Sequence, residues 1–164
     1  MTLDGLQAMI TDANGSWAKM EIWEDYRGEP PIAHKALSMA LELLHDDEPR
    51  FVHLRATSDA PDFELLIFTD DRIVSVEYDG EANNPVGRTI SRRSISRLDL
   101  RSVNVTTMPQ HGSSQQPLTY LVEYADLSLT LTTADVPVRE RREAISALFP
   151  TVLNDWETRR FERG

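Results

Sequence analysis

The hydrophobic periodicity of the chain changes just past Pro49. Before that point apolar residues recur at helical spacing, and beyond it they alternate with polar ones. Because side chains return to the same face about every 3.6 residues in a helix and every two in a strand, the change predicts helices first and a sheet afterwards. Short antiparallel strands bury one face and leave costly edges, so such a sheet must close, or nearly close, and be covered by another element.

Two helices are predicted in the first third of the chain. The first spans Thr2 to about Asp12, with Thr2 as its N-cap and Asn14-Gly15 as its stop. The second spans Ile32 to Leu44 and ends at an acidic run followed by Pro49. Its apolar stripe, at helical spacing, consists of Leu37, Ala40, Leu41 and Leu44.

The remainder of the chain is predicted to form seven strands and a closing helix. The predicted strands are Phe51–Thr57, Phe63–Thr69, 73–78, 87–90, Ile95–Thr106, Leu118–Tyr124 and Leu127–Thr133. Residues 108–117 have loop composition, and Asp135 offers an N-cap for a helix that ends before Pro150, with one or two further turns after it. Residues 1–46 are therefore predicted to be a helical N-terminal extension, and residues 47–164 a β-barrel with a C-terminal helix.

Charge and composition exclude several classes of function. The 164 residues carry a net charge of -10, which argues against binding to nucleic acid or to anionic membranes. No apolar run approaches the ~20 residues of a membrane span, and the N-terminus lacks a secretory signal, so a cytoplasmic location is expected. The absence of cysteine removes disulfides, thiolate metal clusters and cysteine nucleophiles.

The charge is unevenly distributed along the chain. Residues 1–81 contain 18 acidic and 6 basic residues, whereas residues 82–164 contain 9 acidic and 11 basic residues. The two halves can attract each other within one molecule or between two copies, which leaves a homo-oligomer open. The alternative is that an antiparallel fold interleaves the two halves and leaves a mixed surface.

Three short motifs occur in order along the β-rich portion. They are an apolar pair and acidic residue before the first strand (43–52), the Thr69-Asp70-Asp71-Arg72 hairpin turn with its apolar flanks (68–74), and a polar corner between two isoleucines (90–100). Together with the closing helix, they resemble the bacterial pleckstrin-homology-like domains and the related GRAM domains over about 100 of the 164 residues. The resemblance implies a seven-stranded, strongly bent barrel capped by a C-terminal helix, used to dock lipids, peptides or proteins. It implies no shared catalytic residue.

The first hairpin departs from family members that bind phosphoinositides. Those members place several Lys or Arg residues there, because phosphate recognition uses charge-assisted donors. Here the loop at 56–64 is acidic and Arg55 is its nearby base. The sequence therefore argues against phosphoinositide binding at that position.

Two groups of residues are candidates for binding a partner. The first is the run of bases Arg88, Arg92, Arg93, Arg97 and Arg101, whose guanidinium groups suit an acidic or phosphorylated segment. The alternative for this run is a charged, solvated strand edge that protects the sheet from aggregation. The second group contains Trp17 and Trp23, which either anchor a partner or a second copy, or pack on the barrel.

No catalytic, cofactor or metal site is predicted. The four histidines lack the spacing of metal ligands, and Ser113 and Ser114 near His111 lack a nucleophile elbow. The sequence predicts a non-catalytic cytoplasmic docking module whose ligand is a protein or peptide. The alternatives are a small acidic chaperone or escort protein that holds a client segment, and an enzyme that uses scattered His and Asp residues.

Overall fold

The computed structural model describes residues 1–24, 28–56, 61–102, 117–134, 136 and 139–162. The architecture is α+β, as the periodicity predicts, with two antiparallel sheets of four and three strands and a C-terminal helix. The chain divides into two compact units, Met1–Ile90 and Ser91–Gly164.

The first unit combines two helices with the four-stranded sheet, in the order β1-β2-β3-β4. Two short 3-10 helices, Trp17–Lys19 and Glu21–Trp23, connect the two α-helices. The main elements are α1 (Leu3–Ala13), α2 (Ile32–Leu44), β1 (Phe51–Ala56), β2 (Phe63–Phe68), β3 (Arg72–Tyr78) and β4 (Val86–Ser91).

The predicted bounds of both helices agree with the structure to within one residue. Thr2 has an extended backbone, and its hydroxyl accepts a hydrogen bond from the Gly5 amide at 3.2 Å, as an N-cap does. Asn14 follows the last residue of α1. The predicted bounds of α2 are confirmed, and His45, the C-cap that follows its last residue, has a φ of 54° in the left-handed region.

The helices of the first unit pack on one face of its sheet. Val52, Ile67 and Val74 lie on this face, at matching register in β1, β2 and β3. They share one buried core with residues of both helices and of the segment between them: Leu6, Ile10, Trp17, Ile22, Ala33, Ala36, Leu37, Ala40 and Leu44. The N-terminal helices therefore complete the core of the four-stranded sheet.

Strand β4 approaches α2 closely at Gly87. A Cβ atom at this position would lie 2.6 Å from Met39 Sδ and 2.7 Å from Leu43 Cδ1. Glycine thus permits a contact that a larger residue would hold apart.

The second unit contains the three-stranded sheet, in the order β5-β6-β7, and the long C-terminal helix. In β7 the residues Leu127, Leu129 and Leu131 are buried and alternate with exposed Ser128 and Thr130, as the sequence pattern predicts. A 3-10 helix at Arg92–Ser94 precedes the sheet. The main elements are β5 (Arg97–Ser102), β6 (Thr119–Tyr124), β7 (Leu127–Thr132) and α3 (Arg139–Glu162).

Helix α3 continues through Pro150, where the sequence predicts a break. Proline removes one backbone hydrogen bond and costs about 3 kcal/mol inside a helix. Ile145, Leu148 and Val152 lie on both sides of Pro150, are buried, and share one face. Because burying an aliphatic side chain contributes about 1.5–3 kcal/mol, these three residues offset the cost of the proline.

The hydrogen bonds between strands differ from those of one closed sheet. Among the residues that the structure describes, pairing joins β1–β4 in one sheet and β5–β7 in another, and a closed seven-stranded barrel is not found. The strand predicted from Ile95 begins at Arg97, because the 3-10 helix occupies the preceding turn; its part beyond residue 102 lies outside the described residues. The predicted loop at 108–117, except for its last residue, and the N-cap Asp135 also lie outside them.

Candidate functional site

The five arginines of the basic run occupy different environments. Arg88 belongs to β4 in the first unit, where its guanidinium lies 2.6 Å from Glu77 Oε1. Arg92 and Arg93 lie in the 3-10 helix of the second unit, and Arg97 and Arg101 lie in β5. The run is therefore divided between the two units and between two kinds of local structure.

Arg92 points into the second unit and forms a buried ion pair. Its Nε and one terminal nitrogen donate to the two carboxylate oxygens of Asp155 on α3, each at 2.8 Å. The side chains of Arg92 and Asp155 are 7% and 13% exposed. Tyr124 donates its hydroxyl to the same carboxylate at 3.5 Å. The ion pair of Arg92 thus links the 3-10 helix to α3.

Burial governs the ionisation of the groups around this pair. It raises the pKa of the Asp155 carboxyl, while the hydrogen bond and charge of Arg92 oppose the increase. Burial also raises the pKa of Tyr124 and of Tyr120. Tyr120 donates its hydroxyl to the Ile145 carbonyl oxygen at 3.1 Å, so β6 contacts α3 at two tyrosines.

The other three arginines of the basic run that belong to the second unit are exposed. They are Arg93, Arg97 and Arg101. Arg97 pairs with its strand neighbour Asp99, and another of its nitrogens lies 3.6 Å from Glu123 on β6. The hydrogen bond to Asp99 is the main cause of a raised pKa at Arg97. Exposed ion pairs of this kind are weak and exchange partners readily, so Arg97 can pair with a ligand carboxylate.

These exposed arginines accompany an outer strand. β5 pairs with β6 on one side, from Arg97 opposite Glu123 to Ser102 opposite Thr119, and it is terminal in the order of its sheet among the described residues. Alternate residues of an outer strand direct their amide and carbonyl groups away from the sheet. The ladder shifts register between Leu100 and Ser102, and Leu100 is 48% exposed. We call Arg93, Arg97, Leu100 and Arg101 with the outer backbone of β5 the basic edge.

Trp17 and Trp23 belong to the first unit and pack in its interior. Trp17 is fully buried and contacts both Trp23 and Phe63 edge to face, with ring centroids 5.6 and 5.3 Å apart. The Trp23 indole donates to the Trp17 carbonyl oxygen at 2.7 Å. The sequence left open whether these tryptophans anchor a partner or pack on the sheet, and this arrangement fits packing on the sheet.

The hairpin motif at Thr69 and Arg72 joins the sheet of the first unit to α2. Arg72 Nε donates to Asp47 at 2.7 Å, and a terminal nitrogen donates to the Leu44 carbonyl oxygen at 3.2 Å. The Thr69 hydroxyl bonds to the backbone of Arg72. Arg72 therefore satisfies a carbonyl group at the end of α2, where the helix leaves it without an intrahelical partner.

The described histidines lie apart from one another. His34 contacts Trp23 edge to face, His45 pairs with exposed Asp46 at 3.0 Å, and His53 lies in β1. His111 is outside the described residues. Within the described ranges, no group of three or more His, Asp or Glu residues could hold a metal ion.

A cleft of about 740 Å³, which the sequence did not indicate, lies in the first unit. It is at the end of the sheet where β1 finishes, β2 begins and β3 finishes. Aromatic, acidic and basic side chains line it, and the described lining residues are Asn14, His53, Leu54, Arg55, Ala56, Asp62, Phe63, Glu64, Glu77, Tyr78 and Asp79. Acids are frequent in residues 59–81, but their frequency alone does not predict a cleft.

None of the helices described is long and apolar enough to cross a membrane. In comparisons with known proteins, no family model, no curated protein and no solved structure matches this chain.

Proposed function

We propose that this protein is a non-catalytic docking module that binds an extended acidic segment of a partner protein along the basic edge. One observation above all supports this proposal. β5 is the outer strand of its sheet among the described residues, and the exposed side chains of Arg93, Arg97 and Arg101 flank it. An extended peptide that adds to a sheet edge gains main-chain hydrogen bonds, and side chains beside the edge determine its sequence.

The charge of the edge selects the chemistry of the ligand. Guanidinium groups bind carboxylates through paired hydrogen bonds, which are stronger than bonds between neutral groups. Leu100, at the register shift, adds an apolar contact for one ligand side chain. An acidic strand with an apolar residue near its middle therefore complements the edge, whereas a basic strand is repelled.

We propose further that β1–β7 and α3 constitute a pleckstrin-homology-like domain. The order of elements, seven antiparallel strands followed by one long helix, supports this proposal. The helices α1 and α2 are then an addition that covers one face of β1–β3. A crystal structure in which the seven strands do not form a bent barrel would contradict this part of the proposal.

The docking function is tested with the full chain as bait for a displayed library of random seven-residue peptides. We expect the enriched peptides to be acidic and to bind as strands. Their affinity is measured by fluorescence anisotropy at two salt concentrations, and added salt should weaken it because exposed charges are screened. Methylation of the peptide amides along one edge should abolish binding, and methylation along the other edge should not.

Two variants of equal charge separate the basic edge from general electrostatic attraction. The triple substitution Arg93→Ala, Arg97→Ala and Arg101→Ala should weaken binding at least tenfold, which corresponds to about 1.4 kcal/mol. The control replaces three arginines of α3, Arg139, Arg142 and Arg160, with alanine and should leave the affinity unchanged. Equal losses in both variants would refute docking at this edge. Suppression of client aggregation that survives the edge substitutions would favour an escort function instead.

A further inference from the structure

The sequence of β5, together with the serine before it, is a palindrome. The seven residues from Ser96 to Ser102 read Ser-Arg-Leu-Asp-Leu-Arg-Ser in both directions. Charged and apolar side chains alternate along this segment, and the charge is positive at Arg97, negative at Asp99 and positive again at Arg101. A two-fold axis through an outer strand places that strand antiparallel to its own copy, so one sequence supplies both sides of the pairing. A palindrome with alternating charge is therefore suited to pair with itself.

The side chains of β5 are divided between the two faces of its sheet. Leu98 lies opposite Val122 of β6, and Leu100 shares its face because side chains two residues apart in a strand point the same way. Arg97 and Asp99 lie on the other face, where they form an ion pair with each other. Their side chains are 53% and 38% exposed, and Leu100 is also exposed, so a second molecule can reach both faces of the strand.

Charge determines the register in which two copies of β5 can pair. With the two-fold axis at Asp99, each Asp99 would lie opposite its own copy and Arg97 opposite Arg101, and like charges directly opposite destabilise a sheet. With the axis at Leu100, the pairing would cross the register shift that follows Leu100, and a bulge of this kind disrupts the ladder. An axis at Leu98 avoids both problems, because it brings opposite charges together and uses only residues that precede the shift.

We propose that β5 pairs with β5 of a second copy of this chain, across a two-fold axis at Leu98. On one face of the sheet each Arg97 then lies opposite Asp99 of the other copy, and such cross-strand pairs of opposite charge are stabilising. On the other face Leu98 contacts its own copy, and Leu100 lies diagonally beside Leu98 of the other copy. Three strands from each copy join into one sheet, and the two-fold symmetry closes the assembly as a dimer.

The charge of the second unit permits this association. Residues 91–164 contain 10 basic and 9 acidic residues, whereas residues 1–90 contain 7 basic and 18 acidic residues. Two second units therefore approach each other with little net repulsion, although the whole chain is acidic. The paired segment, Ser96 to Leu100, is short, so the interface belongs to the small and weak class. We therefore expect a dimer that forms and dissociates reversibly.

Self-pairing covers the basic edge, which is the surface proposed above to receive an acidic segment. Such a segment can bind only when the second copy of β5 has left, so the dimer is the form in which docking is blocked. This regulatory role rests on the proposed function. The self-pairing itself does not, because it is measured without any ligand.

Sedimentation equilibrium of the full chain measures the self-association, at protein concentrations of about 10–500 µM, where small interfaces form. We expect a reversible equilibrium between monomer and dimer. Arg97→Asp should weaken it at least tenfold, because two carboxylates then face each other across each strand pair. The double variant Arg97→Asp, Asp99→Arg should restore the dimer, because opposite charges face each other again. The control Arg139→Asp makes the same change of charge on α3 and should associate as the wild type does.

Introduced cysteines test the register, because the chain contains no cysteine of its own. In Leu98→Cys the two thiols lie directly opposite, where the Cα atoms of a strand pair are about 4.5–5.5 Å apart and a disulfide can form. In Leu100→Cys they are offset by about 13 Å along the strands, which is too far. With glutathione disulfide as the oxidant, Leu98→Cys should yield a covalent dimer much faster than Leu100→Cys, although Leu100 is the more exposed residue. A wild-type chain that stays monomeric throughout, or equal cross-linking rates in the two variants, would overturn the proposal.

A competition experiment separates the regulatory role from the docking function. The probe is the acidic peptide EDLDE, acetylated and amidated, whose binding is followed by fluorescence anisotropy and whose effect on the dimer is followed by sedimentation. We expect the dimer fraction to fall as the peptide binds. Binding that leaves the dimer fraction unchanged would show that the two use different surfaces and overturn the regulatory role. A peptide that fails to bind, while Leu98→Cys still cross-links, would contradict the docking function and support the self-pairing.

Discussion

Replacing Arg92 with methionine should destabilise the second unit strongly. The substitution keeps the length and apolar stem of the side chain but leaves the Asp155 carboxylate 13% exposed and without its cationic partner. Removing one member of a buried ion pair costs about 3–5 kcal/mol, because the remaining charge stays desolvated. With an m-value of about 2 kcal/mol/M in urea, the unfolding midpoint should fall by about 1.5–2.5 M.

The loss should also depend on pH. Without Arg92, burial raises the pKa of Asp155 against only the hydrogen bond from Tyr124, so the folded state binds a proton more tightly than the unfolded state does. A carboxyl group whose pKa is higher in the folded state than in the unfolded state adds stability below its unfolded pKa of about 3.9. This stability is lost as the pH rises through the folded pKa. The deficit of the variant should therefore be large at pH 7 and smaller at pH 4.

Urea unfolding followed by circular dichroism at 222 nm at both pH values measures the effect. Arg139→Met on the exposed pair with Glu143 is the matched control and should leave the midpoint unchanged within error. The double variant Arg92→Met, Asp155→Leu should recover much of the loss, because no charge remains buried. A deficit under 1 kcal/mol at pH 7, or one that is equal at pH 4, would refute the reasoning.

Three further variants test other contacts. His45→Gly should raise the free energy of unfolding by about 1 kcal/mol in a urea titration, because glycine adopts the positive φ of this position without strain; a loss of stability would contradict this. Arg72→Met should lower it by about 1–2 kcal/mol and increase amide exchange at the end of α2, since the bonds to Asp47 and to the helix carbonyl are lost; unchanged exchange would argue against the link. In the double variant Tyr120→Phe, Tyr124→Phe, thermal stability should fall less steeply than in the wild type above about pH 10. Burial raises the pKa of both tyrosines in the folded state, so each one lowers the free energy of unfolding by up to about 1.4 kcal/mol per pH unit once the tyrosines of the unfolded chain ionise. A wild-type slope in this variant would place the alkaline sensitivity elsewhere.

The secondary structure of this chain was largely predictable, because its periodicity is local. The bounds of α2 and the alternation of Leu127, Leu129 and Leu131 are confirmed. The helix end predicted at Pro150 is wrong. The cost of a proline in a helix is local, whereas the burial of Ile145 and Val152 on α3 depends on tertiary packing, which the sequence does not show. Which strands pair with which also depends on contacts distant in sequence, and periodicity does not encode them.

The candidate sites were less predictable than the elements that carry them. Sequence spacing grouped Arg92 with Arg93, but Arg92 is buried against Asp155 of α3 and Arg93 is exposed, a difference that depends on a contact distant in sequence. The cleft is not predictable from sequence spacing, because its wall joins Asp62 to Asp79 and to Asn14, which are far apart in the chain. Only the antiparallel register of β2 and β3 brings the first two together.

The edge-to-face packing of Trp17 and Trp23 gives the first unit an optical signature of its own. Two indoles with centroids 5.6 Å apart in a rigid core couple their electronic transitions, and this coupling produces a strong near-ultraviolet dichroism band. The third tryptophan of the sequence, Trp156, lies on α3 in the second unit, half-buried. The dichroism band therefore reports on the first unit, whereas dichroism at 222 nm reports on the helices of both units, and comparing the two melting curves reveals whether the units melt together or in sequence.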